Sequence, residues 1–246
     1  MDRAVTVKQV FWDSWALAKD NIWVLLGLTV FQFAIIFIIS MLSLVLGSAS
    51  PLILSLFDAF YTVAFYQIFF KLIDDPKDAS FPDVIPNLVK AFNFLIVKLI
   101  ISLALVFVIA IISTIYFYDT PQIEIDKENP FSWEMLPIFV LISIPITYLT
   151  IRLCFVVAFI VDQESGSSES ISQSWTLTKG HFWFIFRLFL LMLAVNILGA
   201  MAFGIGTLFS VPFSSIILII AYRHMVNSYA DEEEILLDDV EENNGN

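Results

Sequence analysis

The chain has 246 residues, 59% of them hydrophobic and only 15% charged, with a mean hydropathy of +0.87. Soluble domains carry roughly 25% charged residues, so the composition is that of a membrane protein. The net charge of −12 is largely local, because residues 231–242, DEEEILLDDVEE, hold eight acids and no base. No basic surface remains to suit nucleic acid.

Catalytic signatures are missing as well. A single cysteine, Cys154, excludes an intramolecular disulfide, and the two histidines, His181 and His224, have no zinc-like ligand spacing around them. There is no phosphate-cradling glycine loop and no nucleophile elbow. The sequence thus predicts no metal, no cofactor and no enzyme.

A bilayer core needs about 20 helical residues to cross. Six stretches qualify, roughly 22–47, 52–73, 92–117, 137–161, 182–208 and 211–229. The first is too long for a signal peptide and has no small-residue cleavage pattern, so it is expected to stay. Arg3, Lys8, Lys19, Lys71, Lys77, Lys90, Lys179 and Arg223 fall on one side. The other side has GSASP, a loop 118–136 with Lys127 against five acids, and a turn near Ser210. The positive-inside rule predicts a multi-pass protein of the cell (inner) membrane with both termini cytoplasmic. The acidic loop reads as solvated, and the tail 230–246 reads as disordered.

Before the first span stands SWALAKDNIW (14–23), and before the fifth SWTLTKGHFW (174–183). At an offset of 160, Ser14, Trp15, Leu17, Lys19 and Trp23 match Ser174, Trp175, Leu177, Lys179 and Trp183. A weaker copy at an offset of 71 sets Leu88, Lys90 and Phe94 where Leu17, Lys19 and Trp23 stand. The predicted unit is a short interfacial helix, a collar, followed by a helical hairpin. It is used three times in parallel, over about 4–73, 82–161 and 168–229 of a single transmembrane domain 1–229. In the first collar Val7, Phe11, Trp15 and Ala18 form an apolar face; in the second Ile85, Leu88 and Phe92, with Asp83 as cap; in the third Ile171, Trp175 and Phe182, with Ser170 and Gln173 as a capping box. Trp15, Lys19, Trp23, Lys90, Phe94, Trp175, Lys179 and Trp183 are the expected interfacial anchors, their rings at headgroup level and their ammonium groups reaching outward.

SWTLTKGHFWFIFRLFLLMLAVNILGAMAFGIG, preceded by RLCFVVAFIVDQESGSSESISQ, resembles the YciC-like family of prokaryotic integral membrane proteins. It is also similar to the membrane domain fused to some glycerophosphodiester phosphodiesterases. The resemblance covers roughly residues 150–225 and implies an all-α polytopic fold. Spans, collars and tail account for all 246 residues, leaving no place for a catalytic barrel, so no phosphodiesterase activity is carried over.

Charges inside spans are costly, by about 2.5–3.5 kcal/mol on insertion scales, and mark candidate sites. Lys98 and Arg187 occupy equivalent repeat positions near the cytoplasmic boundary, and Arg152 is expected deeper, about 13 Å from the end of its span. The three are a candidate anion site for a lipid phosphate. Asp58 is expected in the outer half, out of reach of Lys98 and Arg187, bonded to a neighbouring hydroxyl. Asn196, Ala200 and Gly204 share a helix-packing face. The expected function is non-enzymatic binding or organisation of anionic lipid at the cytoplasmic leaflet in membrane or envelope homeostasis. The partners are membrane lipids and a possible protein within the membrane. The alternative is a transporter or permease component for a small solute or lipid.

Overall fold

The computed structural model describes residues 5–74, 85–119, 136–202 and 204–244, with backbone alone for 44, 46, 117, 119 and 230–244. The expected cap Asp83 and the acidic loop beyond Asp119 lie outside the described residues. Every regular element is helical: α1 (Val7–Asp20), α2 (Ile22–Leu46), α3 (Ser50–Asp74), α4 (Leu88–Asp119), α5 (Leu136–Leu153), α6 (Val156–Asp162), α7 (Ser167–Leu177), α8 (Phe182–Met201) and α9 (Thr207–Asn244). The six long apolar segments are Ile22–Ser43, Gly47–Asp74, Leu88–Tyr116, Leu136–Asp162, Phe182–Met201 and Thr207–Tyr229, so the all-α fold with six candidate spans is as the hydropathy predicts.

Burial separates the spans into two layers. In their most apolar windows α3 is 39% buried, α5–α6 44% and α9 56%, whereas α2 and α8 reach 17% and α4 6%. The second helix of each hairpin is therefore inside and the first outside, three times over. The outer helices turn Phe31, Phe37, Leu103, Phe107, Leu193 and Leu198 outward, as suits a surface solvated by acyl chains. The core is concentrated where α1, α6 and α7 meet the inner spans, with Phe69, Phe155, Ile160, Phe213 and Tyr222 fully buried there. We call this the collar end of the bundle.

The first and third collars are separate short helices. Thr6 caps α1, its Oγ1 accepting from Gln9 N at 3.3 Å. The cap of α7 is Gly166, whose N–H donates to Glu169 Oε2 at 3.4 Å, so that helix starts before the expected Ser170–Gln173 box. Matching register positions are buried in both: Val10, Ser14 and Ala18 in α1, and Ser170, Ser174 and Thr178 at the same offset of 160. The inward face is thus rotated from the one read in the sequence, and Trp15 and Trp175 lie at its edge. The middle copy differs. From Leu88 to Asp119 the backbone is one helix, capped by Asn87 Oδ1, which accepts from Val89 N at 2.9 Å.

Two other boundaries depart from expectation. The Gly-rich run after Met201 ends α8 early; Gly204 takes φ +76°, a left-handed conformation that glycine adopts without steric cost. At the far side of the sequence, the α9 backbone stays helical through the acidic segment to Asn244, where composition predicts disorder. Glu and Leu are good helix formers, and extending an existing helix needs no new nucleus.

Candidate functional site

The fourth span is interrupted between α5 and α6, with no proline at the break. The repeated serine of the collar causes it. Ser174 Oγ donates to Arg152 O at 2.8 Å and accepts from Phe155 N at 3.3 Å, inserting a hydroxyl where the helical ladder would otherwise continue. Its counterpart Ser14 has no span to bridge and donates to Val10 O in its own helix at 2.6 Å. Ser174 thus pins a neighbouring span, whereas Ser14 back-bonds within its own helix.

This pin sets Arg152 against α7. The guanidinium lies over the Tyr148 ring at 5.2 Å and the Trp175 ring at 5.3 Å, and Nε donates to Tyr148 Oη at 3.2 Å. One terminal nitrogen reaches Thr178 Oγ1 at 3.5 Å. Tyr148 meets Trp175 edge-on at 5.8 Å and stacks on Phe182 at 6.3 Å, and Phe182 stacks on Phe186, so the aromatics form a continuous wall. Among the described residues no carboxylate pairs with Arg152. The ring faces attract the cation without cancelling its charge.

Counted from the end of its span, Arg152 is expected well inside the bilayer, and the structure adds that α7 packs at its level. Arg152 stands level with Trp175 and Thr178, and α6 continues past it as a fully apolar, buried turn, Val156–Val161. Lys179 and Arg187 are exposed and unpaired among the described residues. They follow α7 directly, Lys179 after its cap and Arg187 one turn into α8.

The expected trio does not assemble. Lys98 Nζ is paired with Asp58 Oδ2 at 2.6 Å, on the α3–α4 contact. Two residues said to be out of reach therefore touch, because Asn87 N donates to Gln67 Oε1 at 3.0 Å and fixes the hairpin register. From that level Asp58 is nine residues up α3 and Lys98 eleven up α4, or about 13.5 and 16.5 Å, a difference a lysine side chain spans.

The anchors divide in the same way. Trp15 and Trp175 are 41% and 39% exposed, Trp23 and Trp183 84% and 67%, and Lys19 and Lys179 are exposed. Lys90 instead turns inward, donating to Val161 O at 2.8 Å and pairing with Glu164 at 3.1 Å, and half-buried Phe94 packs against the core. Both lie within α4, which packs on α6 and α7 and draws the two side chains in.

Asn196 Nδ2 donates to Ser214 Oγ at 2.8 Å across α8 and α9. The close backbone approach beside it belongs to Gly199 and Gly206, because a Cβ on Gly206 would lie 2.6 Å from Gly199 O. Ala200 is exposed, and Gly204, in the turn after α8, has open space around its Cα.

The sequence reading missed a polar cluster at the collar end. Arg223 donates to Asp74 Oδ1 and Oδ2 at 2.9 and 2.7 Å, pairs with Asp162 at 3.1 Å and lies over Phe70, while Tyr222 Oη donates to Asp162 Oδ2 at 3.0 Å. His224 Nε2 meets Asp13 Oδ2 at 2.8 Å. These pairs join α3, α6, α9 and α1. The signal for them was the placement of acids at the ends of helices. Among the described residues no group of His, Cys, Asp and Glu could hold a metal ion.

Residues 124–221 match the family model described as the membrane domain of glycerophosphoryl diester phosphodiesterase, and over that stretch the chain is similar to that domain. The match covers the aromatic wall, Arg152, the third collar and most of the last hairpin. Neither the curated proteins nor the solved structures compared with the chain include a match.

Proposed function

We propose that this protein is a non-enzymatic component of the cell (inner) membrane that binds anionic lipid at the cytoplasmic leaflet, in the service of membrane or envelope homeostasis. The observation that carries the reading is Arg152, a cation fixed between Tyr148 and Trp175 with no carboxylate partner among the described residues. A planar guanidinium offers several donors in a rigid fork that suits phosphate, and here the aromatic wall beside it can accept the first methylenes of an acyl chain. Exposed Lys179 and Arg187 add positive charge nearby.

Collars of exposed tryptophan and lysine favour the membrane–water boundary, which supports orienting the collar end, and with it both termini, toward the cytoplasm. The matching buried positions of α1 and α7, and the outer-then-inner order of each hairpin, support the reading of three parallel repeats. Lys98 leaves the proposed headgroup site, since its charge is already met by Asp58.

The test is native mass spectrometry of the purified protein beside an Arg152→Ala variant. The expected result is anionic lipid retained by the wild type and lost from the variant, with Lys98→Met keeping it. Equal lipid on the wild type and Arg152→Ala would overturn the headgroup reading. A transport reading draws its support from a different place, a polar cavity at Asp58 that does not extend to Arg152.

A further inference from the structure

Membrane-spanning helices satisfy their hydroxyls locally. Thr29 donates to Leu25 O, Ser102 to Lys98 O, Thr114 to Ala110 O and Thr150 to Ile146 O, each at 2.7–2.8 Å. One group of side chains departs from this habit. Gln32 on α2, Thr62 on α3 and Ser215 on α9 make no hydrogen bond among the described residues.

All three line one cavity of about 160 Å³, together with Asp58, Tyr61, Phe65, Tyr66, Val211 and Pro212. It lies within the membrane-spanning part of the bundle and opens at its surface beside half-exposed Asp58 and Val211. Gln32 is ten residues from the start of α2, about 15 Å, and Asp58 is sixteen from the end of α3, about 24 Å. In a bilayer core no outside water reaches such groups, so polar atoms must find partners within the protein or in a cavity. Here three helices aim unmet donors and acceptors at the same space, which has room for several waters or one small molecule.

We propose that this cavity is a binding site for a small uncharged polyol. The charge of its lining decides the class. Asp58 contributes the one carboxylate, and Lys98 holds its Oδ2 at 2.6 Å. A bound cation would face the Lys98 ammonium, and a bound anion would face the second Asp58 oxygen, so neither sign is favoured. What remains is the Gln32 amide and the Thr62 and Ser215 hydroxyls, which both donate and accept, with two tyrosine rings beside them. Neighbouring hydroxyls of a short-chain polyol complement that set. Phe65, Val211 and Pro212 supply an apolar wall for its carbon backbone. The site is independent of the Arg152 headgroup reading.

The experiment is saturation-transfer NMR with glycerol as probe, on the full chain in nanodiscs of deuterated lipid, with empty nanodiscs as blank. The wild type is expected to transfer saturation to glycerol, and a Gln32→Leu/Thr62→Val/Ser215→Ala variant to fall to the blank. Thr62→Val alone is nearly isosteric and removes one hydroxyl. It should weaken glycerol binding by about three- to tenfold, which keeps the test valid if the triple variant fails to fold. Absence of transfer from the wild type, as for a cavity holding water only, would overturn the site. So would transfer that Thr62→Val leaves unchanged, or equal transfer to acetate or tetramethylammonium.

Discussion

Asp58 and Lys98 stand forty residues apart in sequence, and their side chains meet at 2.6 Å near the middle of the bundle. Neither charge has another ionic partner among the described residues, so each is the condition for the other's presence at that depth. Asp58→Asn and Lys98→Met alone should each leave one charge unpaired, at a cost of about 2.5–3.5 kcal/mol on insertion scales. The double variant Asp58→Asn/Lys98→Met removes both charges and should recover most of that loss. Thermal unfolding of the four proteins in one detergent measures the coupling. Additive losses would show that the pair is not coupled.

Arg152 depends on shape as much as on charge. Lysine keeps the charge but cannot lie flat between two rings or present a planar fork. Arg152→Lys is therefore expected to lose a large part of the anionic lipid lost by Arg152→Ala, and Trp175→Ala to weaken retention by removing one ring. A cation–π contact is worth about 0.5–2 kcal/mol, so a few-fold to about thirtyfold weaker retention is expected for Trp175→Ala. Competition with anionic lipid in native mass spectrometry reads the order. Full retention by Arg152→Lys would mean that charge alone suffices.

Composition and hydropathy were enough to locate the spans, because 20 apolar residues in a row have few other uses. The short helices α1 and α7 were legible for a similar reason: tryptophan is rare, six in the chain, and two pairs in one register single out these two segments. Depth was not legible. Asp58 and Lys98 were counted from the assumed ends of their spans, whereas their level is fixed by the Asn87–Gln67 hydrogen bond between helices. The surroundings of Arg152 are set by how α7 packs against α5, and no local pattern records that. Lys90 and Phe94 fit the repeat in sequence but turn inward, since the middle collar is fused into α4. Arg223, read only as an orientation signal, proved to be a junction because Asp74 and Asp162 end two neighbouring helices.

That junction yields a stability prediction. Arg223 bonds two carboxylates from different helices, and Tyr222 supports the more buried one, Asp162. Tyr222→Phe keeps the packing against Phe70 and Phe159 but removes the bond to Asp162. Its cost is expected at about 1.5–3 kcal/mol, the range for hydrogen bonds to charged groups. Arg223→Lys should also destabilise, because an ammonium keeps the charge but loses the planar guanidinium's packing over the Phe70 ring at 4.8 Å. Unfolding temperatures of both variants below that of the wild type check this; an unchanged Tyr222→Phe would place the buried hydroxyl bond among those of no net worth.

The orientation is tested with single cysteines in a Cys154→Ser background. Cysteine in place of Lys19 or Lys179, both exposed at the collar end, is expected to react with a membrane-impermeant thiol reagent only after the cells are opened. Cysteine in place of Lys127 is expected to react in intact cells. The reverse pattern would move the Arg152 site to the outer leaflet and remove the basis for a cytoplasmic lipid partner.

The α8–α9 contact separates two readings of one glycine-rich segment. The four-residue spacing of Asn196, Ala200 and Gly204 marks a small-residue face, but helix α8 ends before that face is complete. The contact that forms instead sets Gly199 against Ser210 and Gly206, with Asn196 bonded to Ser214 one turn away. A methyl group at Gly199 or Gly206 would strike backbone or a buried hydroxyl, so α9 would have to shift away, weakening the Asn196–Ser214 bond. Gly199→Ala and Gly206→Ala are expected to cost about 1–3 kcal/mol, the range for overpacking. Ala200→Leu, on an exposed position, should be nearly neutral. Gly204→Ala should lie between them, at about 1–2 kcal/mol, since its cost comes from the left-handed backbone and not from a neighbour. Unfolding temperatures in this order would assign the contact to Gly199 and Gly206. A large loss from Ala200→Leu with none from Gly199→Ala would return it to the face read from the sequence.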